Sequence, residues 1–312
     1  MKPGTHAATT AGVSPPDEWA SPAAGLAARA ADFVMLTKPR LNLLVLITAV
    51  AGIYLAEPAG VEVAVLLHTI VGTALVAGGA AAFNQVWERR TDALMARTRA
   101  RPVPAGRLRT GDAGWFALAL SAAGLADLAF GAGMLPAAVA ALTLVSYVLV
   151  YTPLKRRTSL ATLVGAIPGA LPPVIGWTAA GGDLSLPALV LFGIGFLWQM
   201  PHFLAIAWLY RHEYAAAGIP LLPVLEPDGQ RTGRQTLLYS AALWPVSLMP
   251  TLVGLAGGFY IAVATLLGGI LLGLSARFAR ERSTESARQL FLFSIVYLPL
   301  LWGALVVDRI WI

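Results

Sequence analysis

Three oxygen-bearing side chains, Asn84, Glu88 and Asp92, recur every fourth residue in the stretch NQVWERRTD, which closes an uncharged apolar run, TIVGTALVAGGAAAF. Each step of four residues turns an α-helix by only about 40°, so the three project from one face over two turns. Oxygen ligands on one face suit a hard cation such as Mg2+, which takes one or two carboxylates and leaves its other positions to water and phosphate oxygens. Arginines crowd the residues that follow, Arg97 and Arg101 among them. Guanidinium groups bind phosphate through paired hydrogen bonds. Acids and an amide for the metal, beside arginines for anionic oxygens, are what a metal-diphosphate complex requires. From spacing alone, a basic loop that fixes membrane topology, with acids balancing part of its charge, accounts for the same residues equally well.

The elements that position this group are membrane helices. Hydrophobic residues make up 57% of the 312-residue chain and charged residues only 12%, against about 25% charged in soluble domains. Nine apolar segments, near 41–57, 64–87, 113–132, 136–153, 160–180, 186–209, 236–256, 258–276 and 290–311, are long enough to cross a bilayer. The fold class is therefore an all-α polytopic membrane protein with nine transmembrane helices. Every Lys and Arg except Arg309 falls in the N-terminal segment or after an even-numbered helix. The positive-inside rule then places the N-terminus in the cytoplasm and the C-terminus outside. Charge so placed faces anionic lipid and not nucleic acid, whatever the net +6 suggests. With no cysteine in the chain, disulfides, thiolate metal sites and cysteine nucleophiles are excluded. Residues 1–30, rich in Ala, Pro, Thr and Gly without an apolar signal core, read as a disordered cytoplasmic tail, and 31–312 as one membrane domain.

Further candidates lie near the same membrane face. If the fourth helix persists through Pro153, then Tyr147, Tyr151 and Lys155 share a face at spacing four, the tyrosines for hydrogen bonds and Lys155 for charge. An aromatic belt with a basic anchor is the plainer account of those three. Arg156 sits beside Lys155. His202, in WQMPHF, lies eleven residues before Glu213; three helical turns would put both on one face, about 16 Å apart along the axis. Inside a bundle, His202 is either a functional group or a neutral, hydrogen-bonded structural one. Pro201 beside it, and the prolines of IPGALPP, are expected to bend their helices. His68, His6 and His212 carry no functional argument.

The loop continues MARTRARPVPAGR, and here the sequence resembles the UbiA superfamily of intramembrane prenyltransferases, within it the protohaem IX farnesyltransferase (haem O synthase) branch. Asn84, Gln85, Glu88, Asp92, Met95, Arg97, Thr98, Arg101, Pro102, Gly106 and Arg107 match the first motif in place. LTKPRLNLLVLITA, YTPLKRRT, GAIPGALPPVIGWTA and WQMPHFLAIAW followed by EYAAAGIPLLPV match in order, so the likeness covers roughly residues 36–236. Where other members carry a second aspartate motif, this chain has YRHEYAAAG with Glu213 as its acid, as the haem-prenylating branch does.

The resemblance implies a UbiA-type bundle in a bacterial plasma membrane, multi-pass, with its active site facing the cytoplasm. It implies transfer of farnesyl from farnesyl diphosphate to a vinyl group of haem b, giving haem O and diphosphate. Mg2+ would be held by Asn84, Glu88, Asp92 and Glu213. Lys155, Arg97, Arg101 and Arg156, with Tyr147 and Tyr151, would hold the diphosphate, and His202 would contact haem. A haem-modifying enzyme or terminal oxidase would receive the product. A UbiA-type enzyme acting on another aromatic or tetrapyrrole acceptor is the alternative; a transporter would leave the carboxylate-arginine group unexplained.

Overall fold

The computed structural model describes residues 22–310, and every regular element among them is helical. Residues 1–21 of the expected tail lie outside the described residues. Residues 22–30 do not continue it: they open α1 (Pro22–Leu36), where proline takes the first helical position and an alanine-rich stretch supplies the residues of highest helix propensity.

Eight helices are long and apolar enough to cross a membrane. They are α2 (Pro39–Ala56), α3 (Val63–Asp92), α4 (Thr110–Gly131), α5 (Met134–Leu154), α6 (Ala161–Ala179), α7 (Leu186–Leu209), α9 (Gly258–Glu281) and α10 (Thr284–Arg309). Between α7 and α9 runs α8 (Gln230–Leu252), 23 residues long, whose opening turns QRTGRQT lower its apolar content below that of the others. The seventh of the nine expected spans is thus present as a helix but is not apolar enough to be counted with the eight.

Close approach of the helices depends on residues without side chains. At Gly176 of α6 a Cβ would collide with the Ala49 carbonyl oxygen of α2, and at Gly52 of α2 with that of Pro173. Backbone therefore meets backbone along α2 and α6, as small residues permit in membranes. The pairing of α3 with α4 is similar: Gly72 and Gly124 face one another, and a Cβ on Gly124 would lie 2.7 Å from the Gly72 oxygen. The prolines of α6 act as expected, for the helix is interrupted between Ala170 and Pro172. At Pro201, in contrast, α7 continues without interruption.

Two departures from regular α-helix concern the site. Residues Ser146–Tyr151 within α5 form a π-helical turn, a local widening that recurs at functional positions. And α7 stops at Leu209: Tyr210 leaves the helical region (φ −107°, ψ 19°) before a separate short helix, Arg211–Ala216. His202 and Glu213 consequently stand on different helices, and the three-turn alignment expected for them does not exist.

Candidate active site

The motif on α3 is buried although it is polar. Asn84, Glu88 and Asp92 are 3%, 4% and 1% exposed. Burial of two acids is costly unless they are paired, and each is paired with a cation from elsewhere. The Lys155 ammonium, just past α5, lies 3.0 Å from Glu88 Oε1 and 3.2 Å from Oε2. Arg101 donates to Asp92 Oδ2 at 2.7 Å. The Asn84 amide oxygen accepts from Lys38 at 3.1 Å.

The loop after α3 supplies the arginines by folding back over the helix end. The Thr98 hydroxyl donates to the Asp92 carbonyl at 2.8 Å, which turns Arg101 toward the Asp92 side chain. Met95 packs with Tyr214, Ala217, Ile219 and Leu221, so this loop is joined to the segment after α7 by an apolar cluster. Across that junction Arg97 donates to the Tyr214 hydroxyl at 3.1 Å and stands over the Tyr210 ring, 5.1 Å from its centroid.

A cavity of about 100 Å3 results, lined by Asn84, Glu88, Asp92, Arg97, Arg101, Tyr147, Tyr151 and Lys155 together with Lys38, Met95 and Thr98. Its residues come from four places in the chain. The tyrosines reach it from the π-helical turn, their ring centroids 5.3 Å apart. Gly165 of α6 leaves the room they need, since a Cβ there would lie 2.6 Å from the Tyr151 ring.

Three of the sequence candidates are not among the lining residues. Arg156 is exposed. Glu213 is half-buried, and its Oε2 has no hydrogen-bond partner among the described residues. His202 lies between α7 and α10, bonded to Ser294. A larger hollow of about 430 Å3 borders His68 and Asp127, which are 2.8 Å apart. It opens near the opposite end of α3, sixteen residues or about 24 Å from Asn84, and shares no residue with the polar cavity.

Lys38 is the lining residue to which sequence reasoning gave no site role, although its segment LTKPRLNLLVLITA is among the family matches. It occupies the left-handed region (φ 50°) directly before Pro39, a conformation lysine rarely takes and proline disfavours in its predecessor. Strain of this kind persists where surrounding contacts impose it, often at functional sites. Burial pushes the Lys38 pKa down to about 8, and Arg101 adds to the effect. Burial also opposes charge on Lys155, but Tyr151 and Glu88 more than offset it, and its pKa rises above the usual lysine value. The cavity therefore holds more positive than negative groups and is built for an anion.

As for a metal, no three carboxylates or histidines converge among the described residues. The donor set is instead an amide oxygen and two carboxylates on one helix face, which fits Mg2+ that completes its shell with phosphate oxygens and water.

The family model for UbiA prenyltransferases matches residues 45–297. The chain belongs to the UbiA prenyltransferase family. Curated UbiA relatives include the protohaem IX farnesyltransferase of Solibacter usitatus, 47% identical over 287 residues, covering 89% of this chain and 98% of the relative. That of Myxococcus xanthus is 48% identical over 282 residues, covering 90% and 95%. Among solved structures, a digeranylgeranylglyceryl phosphate synthase superposes with a TM-score of 0.79 at 15% identity over 91% of this chain and 99% of its own. A UbiA homologue from Archaeoglobus fulgidus, bound to GPP and Mg2+, gives 0.64 at 16% over 88% and 99%. Membership of this family makes the chain a multi-pass membrane enzyme, a prenyltransferase.

Proposed function

We propose that the chain transfers the farnesyl group of farnesyl diphosphate to a vinyl group of protohaem IX, giving haem O and diphosphate in haem biosynthesis for terminal oxidases. The observation that carries this reading is near-half identity to protohaem IX farnesyltransferases along almost the whole of both chains. The charge of the polar cavity agrees with it.

The chain's own residues suggest how the reaction proceeds. Lys38, Lys155, Arg97 and Arg101 hold the diphosphate oxygens and stabilise the negative charge that grows as the C1–O bond of the donor breaks. Tyr147 and Tyr151 add hydrogen bonds from the π-helical turn, and Arg156 contributes to the field at the cavity's edge. Asn84, Glu88 and Asp92, with Glu213 from the short helix Arg211–Ala216, would hold Mg2+, which would supply further stabilisation of the leaving group when bound. The electron pair of the broken bond leaves with diphosphate. The vinyl carbon bonds to farnesyl C1, and water adds at the neighbouring carbon, losing one proton and leaving a hydroxyl. Enclosure by apolar helices keeps bulk water from the allylic cation.

Membranes holding the protein, given haem b, farnesyl diphosphate and Mg2+, should yield a haem heavier by one farnesyl and one hydroxyl on mass spectrometry, and chelation should stop its formation. Recovery of unchanged haem b by an intact protein would turn attention to other aromatic acceptors.

Lys38→Met tests the residue that the motif does not include. It is expected to weaken pyrophosphate binding about tenfold in calorimetry, the worth of one charge-assisted contact. Unaltered affinity would remove Lys38 from the anion site.

We further read α8 as a ninth span, the N-terminus as cytoplasmic, the C-terminus as outside, and the cavity as facing the cytoplasm of a bacterial plasma membrane. On the nine-span map every Lys and Arg of the described residues except Arg309 falls before the first span or after an even-numbered one, which supports this reading. The product would pass to a haem-modifying enzyme or oxidase. Because the chain lacks cysteine, single cysteines placed at the exposed Ala105 and Ala59 should react with an impermeant maleimide from inside and outside respectively. Labelling of both from one side would overturn the topology.

A further inference from the structure

Arg107 ends the stretch that matches the family's first motif, yet it is exposed and does not line the polar cavity. Its bonds lead elsewhere. Nε donates to both oxygens of Asp32, at 3.0 and 3.1 Å, and Nη2 lies 2.9 Å from Oδ1. The other edge of the guanidinium is turned to the loop, where Nη1 donates to the Ala100 carbonyl at 3.1 Å. One planar fork thus joins α1 to the backbone immediately before Arg101.

That backbone position decides where the Arg101 side chain starts. The peptide between Ala100 and Arg101 is planar and is held at both ends, its oxygen by Arg107 and its N–H by the Thr98 carbonyl at 3.0 Å. From there Arg101 reaches Asp92 at 2.7 Å inside the cavity. Asp32 is itself a fixed point. Phe33 packs on Phe116 of α4 with ring centroids 4.9 Å apart, and Leu36 is buried in one cluster with Val103 and Leu108 of the arginine loop. The Gln85 amide, next to Asn84, donates to the Leu36 carbonyl at 3.0 Å. A second ion pair, Arg29 with Asp112 at 2.9 Å, ties α1 to the first turn of α4 and not to the loop.

We propose that Asp32, acting through Arg107, is a positioning residue of the diphosphate site: the brace from α1 to the Ala100 carbonyl holds Arg101 in place for the anion. This rests on the reading of the cavity as the site of the donor's diphosphate. It gives the helix ahead of the first span a part in substrate binding, although none of that helix's residues lines the cavity.

Calorimetry of the full-length protein with pyrophosphate tests it, alongside melting temperatures. Asp32→Asn keeps the shape and loses the charge, and should weaken binding about fivefold, near the upper limit for a partly exposed ion pair. Asp32→Glu should keep most of the affinity. Arg29→Met, which breaks the other ion pair of α1, should leave it unchanged. The deciding readout is a cycle with Arg101→Met. A residue that acts only through Arg101 then has nothing left to position, so Asp32→Asn should cost no further affinity in that background. Additive losses, or unaltered affinity in Asp32→Asn, overturn the proposal. An equal loss in Arg29→Met overturns it too, since α1 would then act through docking in general and not through Arg107. If Asp32→Asn does not purify, Arg107→Lys takes its place, because an ammonium cannot bridge Asp32 and Ala100 as the planar fork does; unaltered affinity there is equally fatal. A wild type that binds no pyrophosphate brings down the reading of the cavity first, and this one with it.

Discussion

Asp92→Asn is expected to reduce farnesyl transfer by about 1,000-fold or more while leaving a membrane protein that inserts and purifies normally. The carboxylate is almost wholly buried and ends the face that begins at Asn84. Asparagine keeps its shape, so packing is retained, but it removes the formal charge that a divalent cation needs. Arg101, bonded to Asp92 at 2.7 Å, keeps 28% of its side chain exposed and can turn toward water, so loss of the pair costs little stability. Turnover would be measured with haem and farnesyl diphosphate at saturating Mg2+, alongside a melting temperature. A variant with near-normal turnover would show that Asp92 does not serve the metal.

Lys155 gives the second large effect, and here stability and activity separate. The pair with Glu88 is buried, at 16% and 5% side-chain exposure. Lys155→Met leaves the buried Glu88 carboxylate without its bonded cation, which costs about 3 kcal/mol, the range for breaking a buried pair. Activity should fall by about 100-fold or more through the lost stabilisation of the leaving diphosphate. Adding Glu88→Gln removes the stranded charge, so the double variant should regain most of the melting temperature and none of the activity. Recovery of both together would mean that the pair is structural and that the diphosphate is held by other groups.

The polar face of α3 was legible because it needs only one helix. Asn84, Glu88 and Asp92 share a face by periodicity alone, and α3 runs without interruption to Asp92. Loop arginines were legible as a type, from their number, but not as individuals: Thr98 and Met95 orient Arg97 and Arg101, and Arg156, adjacent to Lys155, stays exposed. Lys38 was not legible as a site residue. Its place beside Asn84, forty-six positions away, depends on a left-handed turn before Pro39 that the sequence KPR does not declare. The expected alignment of His202 with Glu213 assumed a helix that ends at Leu209. Long-range placement rests on where helices stop, and apolar periodicity marks that poorly because the stop depends on tertiary contacts. Even α8, legible as an apolar segment, begins earlier and with more polar residues than its hydropathy suggested.

The π-helical turn of α5 has a genetic consequence. Such a turn is equivalent to one residue inserted into a regular helix. Removing a single codon within Ser146–Tyr151, that of Leu149 for instance, would heal the hydrogen-bond ladder and leave about 20 residues, still enough to cross a bilayer. The flanking turns would keep their register, but the widened turn that carries Tyr147 and Tyr151 to the cavity would be lost. Among related genes, lengths on either side of that turn should vary more freely than the length of the turn itself, because an in-frame deletion there would yield a protein that sorts to the membrane and does nothing.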